Sequence, residues 1–428
     1  MSLDAAIQGK IRSAVQDGFA AQTVFLADLV RCPSTRGNEH TVQDLMARAM
    51  RERGLSVDVF GIDHEAIKRH PGGSRISDKH SAAPIVVGIH RPRKEVGRSL
   101  ILQGHVDVVP AGPADMWSSP PFEPVVRDGW MYGRGAGDMK GGVSAAVFAL
   151  DALRRAGLQP AATVYLQSVV EEESTGNGAL MTHLRGYKAD AALIPEPGRE
   201  MLTRANVGVL WFEIEVRGYP VHVAYMGSGV NAIDAVYRVI GSLREVEEHW
   251  NQRALSDPLF GGSDHPLNLN IGRIEGGDWA SSVPAWCRIE CRIAMLPGTN
   301  AEAAAREIED EITRFARSDS FLANNPPKIT WNGFFAEGYK LEPGSNAEAV
   351  LARAHQTVTG RSLETSLATA YLDARVYSLY DRIPALNYGC FAENYHGYDE
   401  RVDLASLGGT TEVIALFMAE WCGVEPVI

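Results

Sequence analysis

Side chains suited to divalent cations stand at five separated places in the chain: His105, Asp138, Glu173, Glu196 and His396. Carboxylate oxygens and imidazole nitrogens, with no thiolate among them, suit zinc, and also cobalt or manganese. Asp138 is the single acid in Gly133-Arg-Gly-Ala-Gly-Asp-Met-Lys-Gly-Gly142, where five glycines let the backbone approach something closely. His105 closes the run Leu100-Ile-Leu-Gln-Gly-His, and Asp107 follows two residues on. Side chains two apart share a strand face, so Asp107 is expected to hold the far ring nitrogen of His105, a common support for a ligating histidine. Glu171-Glu172-Glu173 sits between the apolar run Ala162–Val170 and a Ser-Thr-Gly-Asn-Gly turn, and three adjacent carboxylates in such a place need cations. Glu196 is fixed between Pro195 and Pro197, and His396 lies in Asn394-Tyr-His-Gly-Tyr-Asp-Glu400.

Each feature has a plainer explanation. A glycine-rich turn before a helix can cradle phosphate. Here, however, no Gly-Lys-Ser/Thr follows, and a hairpin rather than the first strand of a βαβ unit precedes it. Asp138 could simply cap a helix. His105 could be a core histidine paired to Asp107, and the glutamates a solvated face. These explanations fail jointly, because the residues follow successive strand-like runs, and the C-terminal ends of strands are where open α/β sheets place ligands. His105, Asp138, Glu173, Glu196 and His396 are therefore expected on one rim. One shared carboxylate with two ligands on either side is the inventory of a two-metal hydrolytic site.

The elements that must position them follow from periodicity. Ile7, Ile11, Val15, Phe19 and Leu26 predict a helix over about 4–31, ended by Pro33, and a second is expected at 39–53, closed by Gly54. Short apolar runs at 56–60, 85–89, 100–103, 162–170 and 189–194 predict strands, with a helix at 177–185. Pro124–Arg127 and Trp130–Tyr132 flank Asp128-Gly129, a hairpin signal. Ala145, Ala146, Phe148, Ala149, Leu150 and Leu153 place a helix with one apolar face after the glycine run. Strands alternating with helices imply an α/β layer with a largely parallel sheet. Near residue 205 the texture changes. Gly208–Arg217 alternates, and a helix at 231–249, strands at 267–274 and 284–296, a helix at 301–317 and a strand at 328–335 complete a β-α-β-β-α-β order, the ferredoxin-like split unit. The expected division is a discontinuous catalytic domain, 1–206 and 338–428, and an inserted domain, 207–337. The second part of the catalytic domain is expected to hold a helix at 345–358, a strand at 385–388 and a helix at 404–421.

Length, at 428 residues, allows two or three domains. A net charge of −12 argues against nucleic acid or an anionic membrane as the main partner, and no apolar run approaches a membrane span. Five cysteines with no Cys-x-x-Cys point to buried thiols in a reducing cytoplasm, and the first residues carry no secretory pattern.

Taken together, Gly104-His-Val-Asp107, the glycine run around Asp138, Glu171-Glu-Glu173, Glu196-Pro197 and His396 before Asp399-Glu400 resemble the co-catalytic zinc family of acetylornithine deacetylase, succinyl-diaminopimelate desuccinylase, aminoacylase and glutamate carboxypeptidase. The resemblance covers nearly the whole chain. It implies a zinc-exopeptidase-like α/β catalytic domain with an inserted ferredoxin-like lid and dimerisation domain, two divalent metal ions with zinc first, and a homodimer. By position, Asp138 would bridge the metals, His105 and Glu196 would complete one site, and Glu173 and His396 the other. Glu172 would be the general base acting on a metal-activated water, Asp107 the orienter of His105, and the Asp138–Met139 peptide cis. His222, in Gly218-Tyr-Pro-Val-His, matches a family histidine that reaches the partner subunit's active site and stabilises the oxyanion. Arg292 matches an arginine that holds a substrate carboxylate. Without the resemblance, His222 is a surface histidine and Arg292 a sheet salt-bridge partner. The implied activity is removal of an acyl group from a small N-acyl amino acid, in the manner of acetylornithine deacetylase. Two departures bear on substrate: Ser281-Ser-Val-Pro284 lacks the family's usual Asn, and Leu372 precedes Asp373 where Ser or Thr is commoner. The segment Gly276–Pro284 instead resembles the branch containing a formylaminopyrimidine deformylase, which makes deformylation the alternative, followed by dipeptide or carboxypeptidase cleavage. A catalytically silent metal-binding protein is the alternative of a different class.

Overall fold

The computed structural model describes residues 3–427. Along the chain a large sheet receives β1 (Ser56–Phe60), β2 (Ile85–His90), β3 (Leu100–His105), β4 (Val164–Val169) and β5 (Ala191–Ile194). A second sheet then intervenes with β6 (Gly208–Arg217), β7 (Leu269–Gly276), β8 (Trp286–Met295) and β9 (Lys328–Ala336), and the chain returns to the first with β10 (Ala385–Asn387). The large sheet has the order β1-β2-β4-β3-β5-β10. β3, β4, β5 and β10 are parallel; at one edge β2 runs antiparallel to β4, and β1 antiparallel to β2. The C-terminal ends of four adjacent strands thus open on one rim.

Helices cover both faces of this sheet, which is why β3 is buried along its whole length rather than alternating. The main helices are α1 (Ala5–Val30), α2 (His40–Glu52), α3 (Gly142–Arg155), α4 (Asn177–Leu184), α5 (Ala232–Ala254), α6 (Ala301–Ser318), α7 (Asn346–Thr359) and α8 (Leu404–Trp421). The expected single apolar face of α3 is instead burial all round, Asp151, Arg154 and Arg155 apart. The cause is packing: α3 lies against both α1 and α8, and its Ser144, Ala145, Ala149 and Ala152 are small enough for close approach. Gln22 of α1 ties the three helices by donating to Thr411 at 2.8 Å and Ser144 at 3.3 Å.

The second sheet, β7-β8-β6-β9, is antiparallel throughout. Leu210, Phe212, Ile214 and Val216 are fully buried in a core of their own with residues of α5 and α6. The intervening Glu213 and Glu215 are partly exposed. This is the expected ferredoxin-like α+β unit inserted into an α/β fold. A three-stranded sheet was not foreseen: Leu202–Asn206 pairs with Tyr339–Lys340 and Thr365–Ala368 where the chain leaves and re-enters the larger unit. Its first strand runs into β6 with only Val207 between, so no turn signal marks it. The Asp128-Gly129 hairpin is present, with both residues at positive φ as a two-residue turn of that hand requires.

Candidate metal centre

Each donor leaves the end of a strand of the large sheet or a loop held against that rim. His105 is the last residue of β3 and is fully buried. Its Nε2 lies 3.3 Å from Asp138 Oδ1, 3.5 Å from Glu196 Oε1 and 3.8 Å from Glu172 Oε2. His396 Nε2 lies 3.5 Å from Asp138 Oδ2 and 3.0 Å from Glu173 Oε2. The two oxygens of Asp138 therefore face two different imidazoles. Donor atoms of His105, Asp138 and Glu196 lie within 4.8 Å of one another, as do those of Asp138, Glu173 and His396, and those of His105, Glu172 and Glu173. The Asp138–Met139 peptide is cis. The glycine loop is pressed onto the neighbouring strand end: a Cβ on Gly142 would fall 1.9 Å from the carbonyl oxygen of Pro195, the residue before Glu196.

His105 Nε2 and Glu196 Oε1 are buried, face each other, and have no hydrogen-bond partner among the described residues. Such groups are costly unless something satisfies them. The charge balance is equally incomplete. Burial drives the Glu172 carboxyl well above its ordinary range; His105 pulls it back, and Glu196, Asp373 and Glu173 push it further up. Burial likewise raises Glu196 well above its range, opposed by His105 and reinforced by Asp138. Burial pushes Asp107 up to about 8, with His105 opposing. Burial alone would lower His105, yet Glu196, Glu172, Asp138 and Asp107 hold it well above the usual imidazole range. Asp138 is held below its ordinary range despite its burial, because the His105 and His396 imidazoles both face its carboxylate. The carboxylate of Glu173 raises His396 to about 11 against its own burial. The chain by itself supplies too little positive charge for these carboxylates, and the donor set fits divalent cations held by oxygen and nitrogen.

Several expectations are refined. The histidine support differs in detail: β3 stops at His105, and His105 Nδ1 meets the main-chain carbonyl of Asp107 at 2.9 Å, with the carboxylate at 3.6 Å. That carboxylate instead accepts the amide of Glu173 at 3.0 Å. The three glutamates divide. Glu171 is fully buried, turned away at positive φ, and accepts both arms of Arg36 at 2.7 and 2.8 Å and the Ser81 amide at 2.7 Å. Burial opposes ionisation of Glu171, but Arg36 and His80 bring it below the usual carboxylate range. Only Glu172 and Glu173 reach the cluster.

His222 takes no place in the cluster of its own chain. It is exposed, its ring accepts the Ala224 amide at 3.1 Å, and Tyr225 lies beside it. Arg292 is also outside. It donates to the carbonyls of Asn268 at 3.3 Å and Thr369 at 2.9 Å, and lines a cleft with Arg36, Lys79, Trp211, Asn270 and Asn332. Among the described residues it pairs with no acid, so the expected sheet salt bridge is not made. Burial lowers its pKa to about 10. One buried acid near the centre was not singled out from sequence: Asp373 accepts Gln103 at 2.6 Å and Tyr371 at 3.0 Å, and burial pushes it up to about 6. Its signal was the position of Gln103, two residues before His105 on the same strand.

Residues 101–420 match Peptidase family M20/M25/M40. A curated relative, the N-formyl-4-amino-5-aminomethyl-2-methylpyrimidine deformylase of Bacillus subtilis, is 29% identical over 406 residues, which cover 90% of each chain. A succinyl-diaminopimelate desuccinylase of Cereibacter sphaeroides is 28% identical over 393 residues, covering 89% of this chain and 93% of its own. Among solved structures, the dipeptidase Dug1p from Saccharomyces cerevisiae superposes with a TM-score of 0.80 at 16% identity, covering 97% of this chain and 98% of its own. That similarity shows the fold.

Proposed function

The chain belongs to Peptidase family M20/M25/M40 and is a hydrolase of amide bonds, and on that premise we propose that it removes the acyl group from a small N-acyl amine at the centre around Asp138. The observation that carries this is the two-sided carboxylate of Asp138, with His105 and Glu196 on one side and Glu173 and His396 on the other. These five residues are the proposed ligands of two divalent cations, zinc first, with cobalt or manganese compatible. Bound there, such cations supply a polarised carbonyl and a water acidic enough to ionise near neutral pH. Asp107 holds His105 from behind through its main-chain carbonyl and fixes the Glu173 amide through its carboxylate. Glu172 is the proposed general base. It stands beside His105, is 6% exposed, and is shielded from bulk water that would compete for its proton. It takes the proton of the attacking water and returns it to the leaving nitrogen.

Two substrate classes have separate support. An N-acyl amino acid, as acetylornithine deacetylase would take, suits Arg292, whose guanidinium has no acidic partner among the described residues and would receive a substrate carboxylate. Deformylation of an N-formyl aminopyrimidine is favoured by the 29% identity spanning 90% of both chains. The deciding test is amine release from a panel of N-acetyl, N-succinyl and N-formyl compounds and dipeptides, with zinc present. A strong response abolished by chelator supports the proposal and names the acyl group. Zinc binding with silence across the panel would instead point to a substrate outside the panel or to a catalytically silent metal-binding protein.

A homodimer through the inserted domain, residues 207–337, belongs to the same proposal. Tyr219, Val223, Tyr225, Met226 and Trp279 are exposed in the segments around His222, and clustered exposed apolar side chains are a mark of interaction surfaces. In that dimer His222 would enter the partner's site and stabilise the oxyanion. A cytoplasmic setting is supported by five free, buried cysteines. Among the described residues no helix is long and apolar enough to cross a membrane.

A further inference from the structure

The two sides of the centre are held in very different ways. His105 ends a central strand, and Glu196 follows another between two prolines. His396 has no such support. It lies between the two-residue strand Ala392–Glu393 and the short strand Arg401–Asp403, in a loop where Asn394, His396 and Asp399 all have positive φ. Asp138 likewise sits in a loop, the glycine run. Positive φ is uncommon for residues with side chains, so something must impose the conformation of the His396 loop.

One buried ion pair ties both loops together. Glu400 is 1% exposed. Its Oε1 accepts the amides of Gly137 and Asp138, each at 3.0 Å, and its Oε2 accepts the amide of Gly135 at 3.0 Å and Arg134 Nη1 at 2.6 Å. Its main-chain carbonyl accepts the amide of Gly133 at 2.9 Å. Successive amides converging on one anion make a preorganised nest, here filled by the protein's own carboxylate. A Cβ on Gly137 would fall 2.7 Å from Ala392 Cβ, so the glycine is what lets the loop come this close. Arg134 uses its other arm on the carbonyl of Gly397, next to His396, at 3.0 Å. The pair thus fastens Asp138 from one end and His396 from the other, and it touches neither His105 nor Glu196.

We infer that Glu400, acting with Arg134, is a positioning residue for one of the two cations, the one on the Asp138, Glu173 and His396 side. This rests on Asp138 and His396 being ligands, as proposed above. Glu400 touches no reacting atom; it acts by holding two donors in register. Asp138 is shared but His396 serves this cation alone, so replacing Glu400 should loosen this cation more than the other, which keeps His105 and Glu196, whereas general damage to the fold would loosen both alike.

The test uses the full-length zinc-loaded enzyme, dialysed against a graded chelator series, with zinc per chain measured at each step. In Glu400→Gln one zinc should leave at about 10–100-fold lower chelator, the usual scale for losing a group that orients a ligand, while the second, held also by His105 and Glu196, should shift clearly less. Activity should fall with the first zinc and recover when zinc is added back. Arg134→Lys keeps the charge but cannot fork to Glu400 and Gly397 together; it should shift the same zinc by less, and it carries the test if Glu400→Gln does not fold. Both zincs leaving at the wild-type thresholds, or both shifting equally, would overturn the positioning role. A wild type that retains fewer than two zincs would overturn the two-metal proposal itself.

Discussion

Replacing Glu172 by Gln separates catalysis from metal binding more cleanly than any other single change in this centre. The substitution keeps size and one acceptor oxygen but cannot take a proton. A positioned general base is typically worth about 10²–10⁴-fold in rate, which at 1.36 kcal/mol per decade is about 3–5 kcal/mol of barrier. The upper half of that range is expected, because Glu172 is 6% exposed and bulk water cannot substitute for it easily. The fold should not suffer. In the metal-free protein burial holds the Glu172 carboxyl well above its ordinary range, so a neutral residue removes a burden. The assay is the initial rate of amine release on the best panel substrate, with zinc per chain and thermal midpoint measured on the same sample. The expected outcome is full zinc, an unchanged or raised midpoint, KM changed little and kcat lowered by at least about a thousandfold. Unchanged turnover at full zinc would refute the assignment of the base. Lost zinc would mean that Glu172 is a ligand rather than a base.

The chelator-stripped protein should lose stability as pH rises from about 5 to 8. Folding raises Asp373 to about 6, Asp107 to about 8 and His396 to about 11, so each binds its proton more tightly folded than unfolded, and each contribution fades as pH climbs through the folded value. Each pH unit of such mismatch costs about 1.4 kcal/mol per group, and zinc should remove the slope; a stripped protein whose midpoint rises over this range would contradict the charge balance described. Arg292→Ala should raise KM about 10–100-fold for substrates carrying a carboxylate, since hydrogen bonds to charged groups are worth about 1.5–3 kcal/mol, and should leave a neutral N-formyl aminopyrimidine unaffected. Equal effects on both would remove Arg292 from carboxylate recognition. Trp279→Glu should shift the mass measured by light scattering from dimer to monomer and, with it, abolish any contribution from His222; a wild-type monomer would end the role of His222 in trans.

Much of this protein is written locally in its sequence. Alternation in Gly208–Arg217, the helix periods and the Asp128-Gly129 turn depend on nearest neighbours and on which face is buried, and these elements stand where periodicity places them. The donors were recognisable because histidine and carboxylates directly after apolar strand runs are chemically out of place unless they meet a ligand. What tertiary structure alone decided is which of several identical groups does what. Residue type alone does not separate Glu171, Glu172 and Glu173, and only the family resemblance suggested roles for the last two; the fold shows Arg36, 135 residues away, holding Glu171 outside the centre. Asp107 supports His105 through its carbonyl because the strand ends at His105, two residues short of Asp107. The all-round burial of α3, the unforeseen strand at Leu202–Asn206 and the grip of Glu400 on the Asp138 loop, 262 residues distant, all depend on partners that no local window contains. Local propensity sets the elements; only the packed fold brings remote charges close enough, and dry enough, for their pairing to carry energy.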